Sequence, residues 1–198
     1  MKGRLITIEG GEGSGKSTLL QALSTALPDA IVTREPGGCK LAEEIRQLLL
    51  SHSDTSIDTE AETLLFLAAR AQHLHEVIRP GLEAGKTVLC DRFNDSTAAY
   101  QGYARGLGLD HVERLCNLAC HDLQPDLTLL LDIDPAVGLE RAGRVSGPDR
   151  MESETLDFHT RVNEGFRKIA RRHSTRVHVL DATLPPDQIA EQAMQWIT

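Results

Sequence analysis

Residues 10–17 read Gly-Gly-Glu-Gly-Ser-Gly-Lys-Ser, a glycine-rich stretch that ends in a lysine and a hydroxyl residue. This is the spacing of a phosphate-binding loop. Its glycines let consecutive backbone N–H groups turn onto a β-phosphate, while Lys16 bridges the β- and γ-phosphates and the Ser17 hydroxyl reaches Mg²⁺. A glycine-rich turn with a coincidental lysine is the alternative. We predict an ATP or GTP site formed by Gly10, Gly11, Glu12, Gly13, Ser14, Gly15, Lys16, Ser17 and Thr18.

The chain lacks the additional motifs of nucleotide switches and transport motors. None of its five lysines lies in the Asn/Thr-Lys-x-Asp element with which GTP switches read guanine, and the Ser-Gly-Gly-Gln signature of transporter ATPases is missing. A chain of 198 residues also leaves little room for mechanical domains. We therefore favour phosphoryl transfer to a small acceptor.

An acidic and a basic residue follow the apolar run Thr-Val-Leu-Cys at 87–90. Asp91 falls at the expected carboxyl end of a strand, from which a carboxylate steadies Mg²⁺ through water. Arg92 follows it, and a guanidinium group can bind an acceptor phosphate through two parallel hydrogen bonds. Alone, this pair is better interpreted as a charged cap on a strand. Combined with the loop at 10–17, it indicates a catalytic pair.

Two further stretches predict an acceptor site. Arg34 and Pro36 follow the second apolar run, in a turn where Pro36 is expected to shape one wall. Phe66 and Arg70 are four residues apart on one helix face. A ring that stacks on a base and a guanidinium that reads its carbonyl need this spacing, although a Phe–Arg surface pair has it too. The opposite face is expected to carry Leu64, Leu67, Ala68, Ala71 and Leu74.

These residues need a scaffold, and the apolar pattern indicates an α/β one. Short, nearly continuous apolar runs at 5–8, 30–33, 87–90, 127–133 and 176–180 predict strands buried on both faces of a parallel sheet. Helical patterns lie between and after them, near 17–27, 40–51, 60–79, 94–120, 135–143, 152–172 and 186–197. We predict a doubly wound, five-stranded parallel sheet. The arginine-bearing segment 141–150, rich in Gly, Ser and Pro, predicts a mobile LID over about 141–152.

Composition excludes several functions. The length predicts one domain, 1–198, and the formal net charge of −8 argues against binding a nucleic-acid backbone. The four cysteines form no Cys-x-x-Cys pair and are expected to be reduced thiols, which predicts a cytoplasmic protein. No apolar run has the length of a signal peptide core or a membrane span, so no membrane partner is expected.

Five stretches, GGEGSGKST, TREPGG, FLAARAQH, DRFNDSTAAYQG and DRMES, occur in the order and approximate spacing of the thymidylate kinase family. The resemblance covers residues 3–182 and is to the bacterial form of the family. It implies a P-loop kinase that phosphorylates dTMP to dTDP with ATP and Mg²⁺, in a homodimer. It also assigns the acceptor-binding region to about 34–103.

Matching positions carry the family's residue roles onto this chain. The resemblance implies that Glu12 approaches the sugar 3′-hydroxyl, that Phe66 stacks on thymine and that Arg70 bonds thymine O4. Arg92 would hold the dTMP phosphate, with help from the segment of Arg34. Around these, the sugar and base pocket would be lined by Ser96, Thr97, Tyr100 and Gln101. Arg141 would lie against adenine, with the turn at Asp181-Ala182 on the other side of that ring.

The acceptor in such a reaction is already an ionised phosphate oxygen, so that no strong base is needed. We therefore assign no role to His73, His75, His121 or His159 and expect them at the surface or in packing. The LID departs from the bacterial pattern, because its arginines stand at Arg141, Arg144 and Arg150. We predict that Arg144 or Arg150 meets the transferring phosphoryl group. The alternative is a solvated Arg144 and an Arg150 paired with Asp149 or Glu152.

Two other functions stay open on the sequence. One is a kinase for uridylate, cytidylate or a modified deoxynucleotide, since neighbouring bases differ by only one or two hydrogen bonds. The other is a nucleotide sensor that binds ATP without transfer. The intact Asp91-Arg92 pair and the arginine-bearing LID argue against a sensor.

Overall fold

A computed structural model describes residues 3–52, 56–144 and 149–197 of the chain. Its five strands are all parallel and form one sheet in the order β2-β3-β1-β4-β5. This confirms the predicted fold class. The strands are β1 (Arg4–Gly10), β2 (Ile31–Arg34), β3 (Thr87–Asp91), β4 (Leu127–Asp132) and β5 (Val177–Asp181).

Burial differs between the centre and the edges of the sheet. The central strands β3, β1 and β4 are almost continuously buried, as their unbroken apolar runs predict. The edge strands β2 and β5 each have exposed residues; Val32 and Val179 are about half exposed. The expectation of burial on both faces is therefore wrong for the two edge strands, in which alternate residues on one face are exposed.

Helices cover both faces of the sheet. On one face, Leu19 and Leu23 of the first helix and Ile189 of the last pack against Ile8 and Leu129. Helices from the middle of the chain cover the other face. The α-helices are α1 (Lys16–Ala26), α2 (Lys40–Leu50), α3 (Thr59–His73), α4 (Arg79–Glu83), α5 (Asn94–Thr97), α6 (Leu109–Cys120), α7 (Pro135–Ala142), α8 (Leu156–Arg172) and α9 (Pro186–Ile197).

Several helices begin where side chains cap them. The Asp58 carboxylate accepts the first free N–H groups of α3, and Asp134 does the same for α7, whose first residue is Pro135. The Thr155 hydroxyl caps α8. These caps explain why the predicted start at 152 is too early, since residues 150–153 form turns before the cap.

Two long predicted helices are divided. The helix expected over 60–79 is α3, followed by a π-helical turn, Leu74–Ile78, and then by α4. The helix expected over 94–120 is α5, a π-helical segment Ala98–Ala104 and α6, with a break at 105–108. Gly106 and Gly108 take left-handed φ values of 87° and 92° in this break, which glycine tolerates and which ends the helix.

Three further features concern the cysteines, the length of the apolar helices and the LID. All four cysteines are free, and Cys90, Cys116 and Cys120 are buried. Among the described residues, no helix combines the length and the apolar character needed to cross a bilayer. Residues 145–148 of the predicted LID lie outside the described residues; on either side of them, α7 ends at Ala142 and turns occupy 150–153.

Candidate active site

A cavity of about 690 Å³ opens at the carboxyl ends of the strands. Ligands bind at this edge of a doubly wound sheet because the loops that follow neighbouring strands diverge there. The residues that line it belong to the phosphate loop, to the segments after β2 and β3, to α3, and to the region of α7 and α9. From the predicted site these include Glu12, Gly13, Ser14, Gly15, Lys16, Ser17, Thr18, Pro36, Phe66, Arg70, Asp91, Arg92, Ser96, Thr97, Tyr100, Gln101 and Arg141.

The phosphate loop has the backbone that its glycines predict. Gly10, Gly13 and Gly15 have φ values of 145°, 61° and 94°, which residues with a Cβ atom rarely adopt. The Lys16 ammonium donates to the carbonyls of Gly10 (3.1 Å) and Gly11 (2.7 Å) and is largely buried. Burial and the nearby Arg92 charge lower the pKa of Lys16. A cation is therefore held at the base of the loop, where an anion would compensate it.

Glu12, Arg92 and Tyr100 form a hydrogen-bonded cluster beside the loop. Arg92 Nη2 donates to Glu12 Oε1 over 2.8 Å, and the Tyr100 hydroxyl donates to the same oxygen over 2.6 Å. The guanidinium also lies over the Tyr100 ring, 5.3 Å from its centre. Burial opposes ionisation of Glu12, but the charges of Arg92 and Lys16 outweigh it and lower its pKa to about 2. The cluster therefore places an ionised carboxylate and a guanidinium at the tip of the loop.

Arg92 has a left-handed backbone, with φ of 67°. The segment that follows it is anchored by Glu9, a fully buried residue at the end of β1. Glu9 accepts the N–H of Phe93 (2.8 Å) and the hydroxyl of Ser96 (2.5 Å). Burial and the neighbouring Asp95 raise the pKa of Glu9 to about 8. Glu9 thus holds the turn that directs Arg92 into the cavity, a role that no motif in the sequence indicated.

Phe66 and Arg70 of α3 line the same wall of the cavity. Arg70 is only 3% exposed, so the alternative of a Phe–Arg surface pair is wrong. Of the five residues predicted on the opposite face, Leu67 and Leu74 are buried beside Arg70, but Leu64, Ala68 and Ala71 are exposed. The apolar stripe of this helix is therefore wider than its buried face.

At the other end of the cavity, Arg141 meets the turn that follows β5. Arg141 Nη1 donates to the Ala182 carbonyl over 2.9 Å, which brings together the two segments expected around a donor base. Ala142, Leu184, Pro186 and Ile189 line this end as well, and the sequence did not single them out. They lie after β5 or at the end of α7, and only the fold brings them to one surface.

Asp91 and Ser17 both line the cavity near the phosphate loop. One carboxylate oxygen of Asp91, Oδ1, is buried without a hydrogen-bond partner among the described residues. A buried acceptor without a donor is costly unless a ligand or a water satisfies it. Carboxylate and hydroxyl oxygens are ligands that suit Mg²⁺ or the waters around it, so these residues fit the ion predicted for them.

The two candidate LID arginines are paired with carboxylates that do not line the cavity. Arg144 is exposed, lies just after α7 and pairs with Glu140 of that helix, 2.5 Å apart. Arg150 donates to Glu62 Oε2 (2.7 Å) and to the Leu49 carbonyl (2.6 Å). Neither guanidinium lines the cavity in this conformation, and the partner of Arg150 is neither Asp149 nor Glu152. Their catalytic role stays a prediction.

Arg34 is another residue that the fold does not bring into the cavity. Its side chain is 54% exposed and pairs with Glu43 at 3.0 Å. Arg46 of α2 lines the cavity instead, and its guanidinium donates to the Pro36 carbonyl over 2.8 Å. Sequence reasoning missed Arg46 because a single arginine in an amphipathic helix carries no motif. The role predicted for Arg34 in substrate binding stays a prediction.

A parallel five-stranded sheet, a phosphate loop between β1 and α1, and a cavity with arginines on the acceptor side define the class of P-loop kinases.

Comparison with known proteins is more specific. The family model described as thymidylate kinase matches residues 8–193. A thymidylate kinase of Protochlamydia amoebophila is 48% identical, over 99% of this chain and 92% of the relative. One from a Geobacillus species is 47% identical, over 96% of this chain and 93% of the relative. The crystal structure of thymidylate kinase from Ehrlichia chaffeensis superposes with a TM-score of 0.79 at 32% identity, and all of both chains is covered. The chain belongs to the thymidylate kinase family.

Proposed function

We propose that this chain transfers the γ-phosphoryl group of ATP to dTMP and forms dTDP and ADP for the synthesis of dTTP. Membership of the thymidylate kinase family supports the reaction. The observation that carries it is that one cavity is lined by the phosphate loop, by the cluster of Glu12, Arg92 and Tyr100, and by Phe66 and Arg70. Such a cavity has room for a donor and an acceptor phosphate on either side of Lys16.

On the acceptor side, Arg92 binds the dTMP phosphate and Glu12 lies near the sugar 3′-hydroxyl. Phe66 stacks on thymine, and Arg70 donates to its O4. Ser96, Thr97, Tyr100 and Gln101, all buried residues that line the cavity, enclose the sugar and base. This proposal is supported by the short contacts among Arg92, Glu12 and Tyr100, which orient the two charged groups before a substrate arrives.

On the donor side, the backbone N–H groups of the loop bind the β-phosphate and Lys16 contacts the β- and γ-phosphates. In the state described here Lys16 is bonded to loop carbonyls, so it exchanges those bonds for phosphate oxygens when ATP binds. Adenine lies between Arg141 and the turn at Asp181-Ala182. We further propose that Ser17 binds Mg²⁺ and that Asp91 holds it through water. When bound, the ion neutralises charge on the phosphate oxygens.

Catalysis rests on alignment and charge neutralisation, because the attacking phosphate oxygen is already ionised. Lys16 and Arg92 hold the two reacting phosphates from opposite sides and reduce their mutual repulsion. Arg144 or Arg150 adds positive charge to the moving phosphoryl group when the LID, about 141–152, closes. For Arg150 this requires release from Glu62, which is 2.7 Å away in the present conformation.

A coupled assay of ADP release over dTMP, dUMP, dCMP, UMP and CMP tests the function. We expect the highest kcat/KM with dTMP, and we expect no turnover by a Lys16→Ala variant prepared in parallel, which controls for contaminating kinases. A preference for UMP or CMP would make the chain a different monophosphate kinase. Tight ATP binding without turnover of any acceptor would make it a sensor.

We also propose a homodimer formed through α2, α3 and α6. Helix α3 packs against both α2 and α6. Each of the three carries an exposed leucine: Leu48 and Leu64 are 58% exposed and Leu118 is 76% exposed. Large apolar side chains grouped on a surface favour association.

Light scattering should give a dimer for the native chain and a monomer for Leu64→Asp. Leu156→Asp changes a similarly exposed leucine, 50% exposed, at the start of α8 and should leave the dimer intact. A Leu64→Asp variant that remains a dimer would contradict the proposal.

Residues 1–198 are proposed to act as one catalytic domain in the cytoplasm. The free thiols of all four cysteines suit a reducing compartment.

A further inference from the structure

A chain of hydrogen bonds runs from β2 to the wall of the cavity through His73. Thr33 Oγ1 and His73 Nε2 are 2.7 Å apart, and His73 Nδ1 lies 2.9 Å from Glu35 Oε1. The other oxygen of the same carboxylate, Glu35 Oε2, accepts from Arg70 Nε over 2.6 Å. The chain of hydrogen bonds through Thr33, His73 and Glu35 therefore ends at the Arg70 guanidinium, which lines the acceptor side of the cavity.

All members beyond Thr33 are withdrawn from solvent. His73 is 0% exposed, Glu35 is 4% exposed and Arg70 is 3% exposed. An ionised carboxylate only accepts hydrogen bonds, so His73 Nδ1 donates to Glu35. In the neutral ring Nε2 is then an acceptor, and the Thr33 hydroxyl donates to it. Each hydrogen bond restricts the direction of the next, because His73, Glu35 and Arg70 are buried.

The backbone leaves space for the imidazole. Gly38 has a left-handed φ of 83°, and a Cβ atom there would come within 2.6 Å of Thr33 Oγ1 and would also collide with the His73 ring. The second glycine of Thr-Arg-Glu-Pro-Gly-Gly is thus required by the histidine contact as well as by the turn. The missing side chain at Gly38 therefore leaves the space that the His73 ring fills.

The guanidinium of Arg70 is held from several directions. Besides the bond to Glu35, Nη2 donates to the Phe93 carbonyl (3.1 Å) and Nη1 donates to Cys116 Sγ (3.7 Å). Arginine has five N–H groups, and these three bonds leave one hydrogen on each terminal nitrogen for a ligand. A base carbonyl can accept both or either of them. A base amino group, which is itself a donor, cannot.

We propose that His73 is a positioning residue for base recognition. By bonding Glu35 it fixes the carboxylate that orients Arg70, and so it sets the preference for an acceptor base with a carbonyl group at position 4, such as thymine, over cytosine with its amino group. The inference rests on the proposed function, in which Arg70 donates to thymine O4. Without the donor at His73, Glu35 Oε1 loses its partner, and the bond from Glu35 Oε2 to Arg70 Nε is no longer held in one direction.

Two nearly isosteric variants separate the hydrogen bond from the packing. His73→Asn keeps an N–H donor near the position of Nδ1, whereas His73→Leu fills a similar volume without one. We expect His73→Leu to raise the KM for dTMP about tenfold and to reduce the ratio of kcat/KM for dTMP over dCMP by a similar factor, with the KM for ATP unchanged. His73→Asn should restore most of both values. Thr33→Val, at the outer end of the chain of bonds, should shift them in the same direction by a smaller factor.

The outcomes discriminate among the hypotheses. Equal effects of His73→Asn and His73→Leu, or an equal rise in the KM values for dTMP and ATP, would make His73 a packing residue and overturn the proposal. If His73→Leu does not fold, Thr33→Val decides: an unchanged ratio of dTMP over dCMP overturns it. Arg70→Ala is measured alongside. Should Arg70→Ala leave that ratio unchanged, the role proposed for Arg70 fails; should only the His73 and Thr33 variants leave it unchanged, the relay alone fails.

Discussion

Replacing Glu62 by glutamine tests whether one buried carboxylate ties the LID to the acceptor side. Glu62 is 1% exposed, and its oxygens accept from Gln101 (2.9 Å), Arg105 (two bonds of 3.3 Å) and Arg150 (2.7 Å). The N–H groups of a glutamine amide would point toward one of these arginines. The substitution would also remove the negative charge with which Arg105 and Arg150 both pair. Leaving a buried ion pair without one partner costs about 3–5 kcal/mol.

The size of the effect can be compared within one network. Arg105 also pairs with Glu154 at 2.6 Å, but the Glu154 side chain is 26% exposed. Partly exposed ion pairs contribute about 0–1 kcal/mol, so Glu154→Gln is a matched control that removes a carboxylate from the same arginine. Urea unfolding followed by circular dichroism measures both variants. For a chain of this length the loss in Glu62→Gln corresponds to a fall in Tm of roughly 6–20 °C.

The pH dependence provides an independent check on Glu62. Burial opposes its ionisation, but the hydrogen bonds from Gln101 and Arg150 and the charge of Arg105 outweigh burial, and the pKa lies below the ordinary value of 4.5. A lowered carboxyl pKa stabilises the fold at pH values above 4.5, and this contribution is lost as the pH falls through the folded pKa. The difference between native and Glu62→Gln protein should therefore shrink below pH 4.5. Equal stabilities of Glu62→Gln and Glu154→Gln at pH 7 would refute the reasoning.

Three further changes test the catalytic assignments. Lys16→Ala should abolish transfer and leave the unfolding free energy nearly unchanged; activity within tenfold of the native chain would contradict the role of the phosphate loop. Phe66→Ala should weaken the binding of dTMP by about 1–3 kcal/mol, the value of a lost base stack, and so raise its KM, with little change in the KM for ATP. An unchanged KM for dTMP would leave Phe66 a structural role. Arg144→Ala, Arg150→Ala and the double variant should lower kcat by on the order of 10³ in at least one case, with a far smaller effect on the KM for dTMP. If kcat stays within tenfold in all three, the arginine that meets the phosphoryl group comes from elsewhere.

Local patterns were sufficient for the scaffold and for the donor loop. The strand positions follow from short apolar runs, and the phosphate loop is a contiguous stretch whose glycines and lysine each have a local reason. The helix boundaries were less accurate where no strong signal marked them. The break at 105–108 depends on two glycines that a helical pattern can also contain, and the start of α8 depends on which of several polar residues before it acts as the cap.

Contacts between distant segments determined the rest. Glu9 is remote in sequence from the turn that it anchors, and Glu62 gathers Gln101, Arg105 and Arg150 from other segments. His73, which the sequence places at the surface or in packing, is fully buried, and both of its ring nitrogens are also hydrogen-bonded. The arginines near β2 also differ from the prediction. Arg34, which lies in a motif, is exposed to solvent, whereas Arg46, which lies in no motif, lines the cavity.

The physical reason is that a phosphate loop acts through its own backbone, which nearby residues in the chain control. The direction of a buried arginine depends instead on which carboxylates, carbonyls and ring nitrogens the packed sheet and helices bring within about 3 Å of it. The amino-acid sequence of this chain therefore specified the class of fold and the nucleotide loop through local rules. The orientation of Arg70 and Arg92, and the partners of the LID arginines, arose only from tertiary contacts.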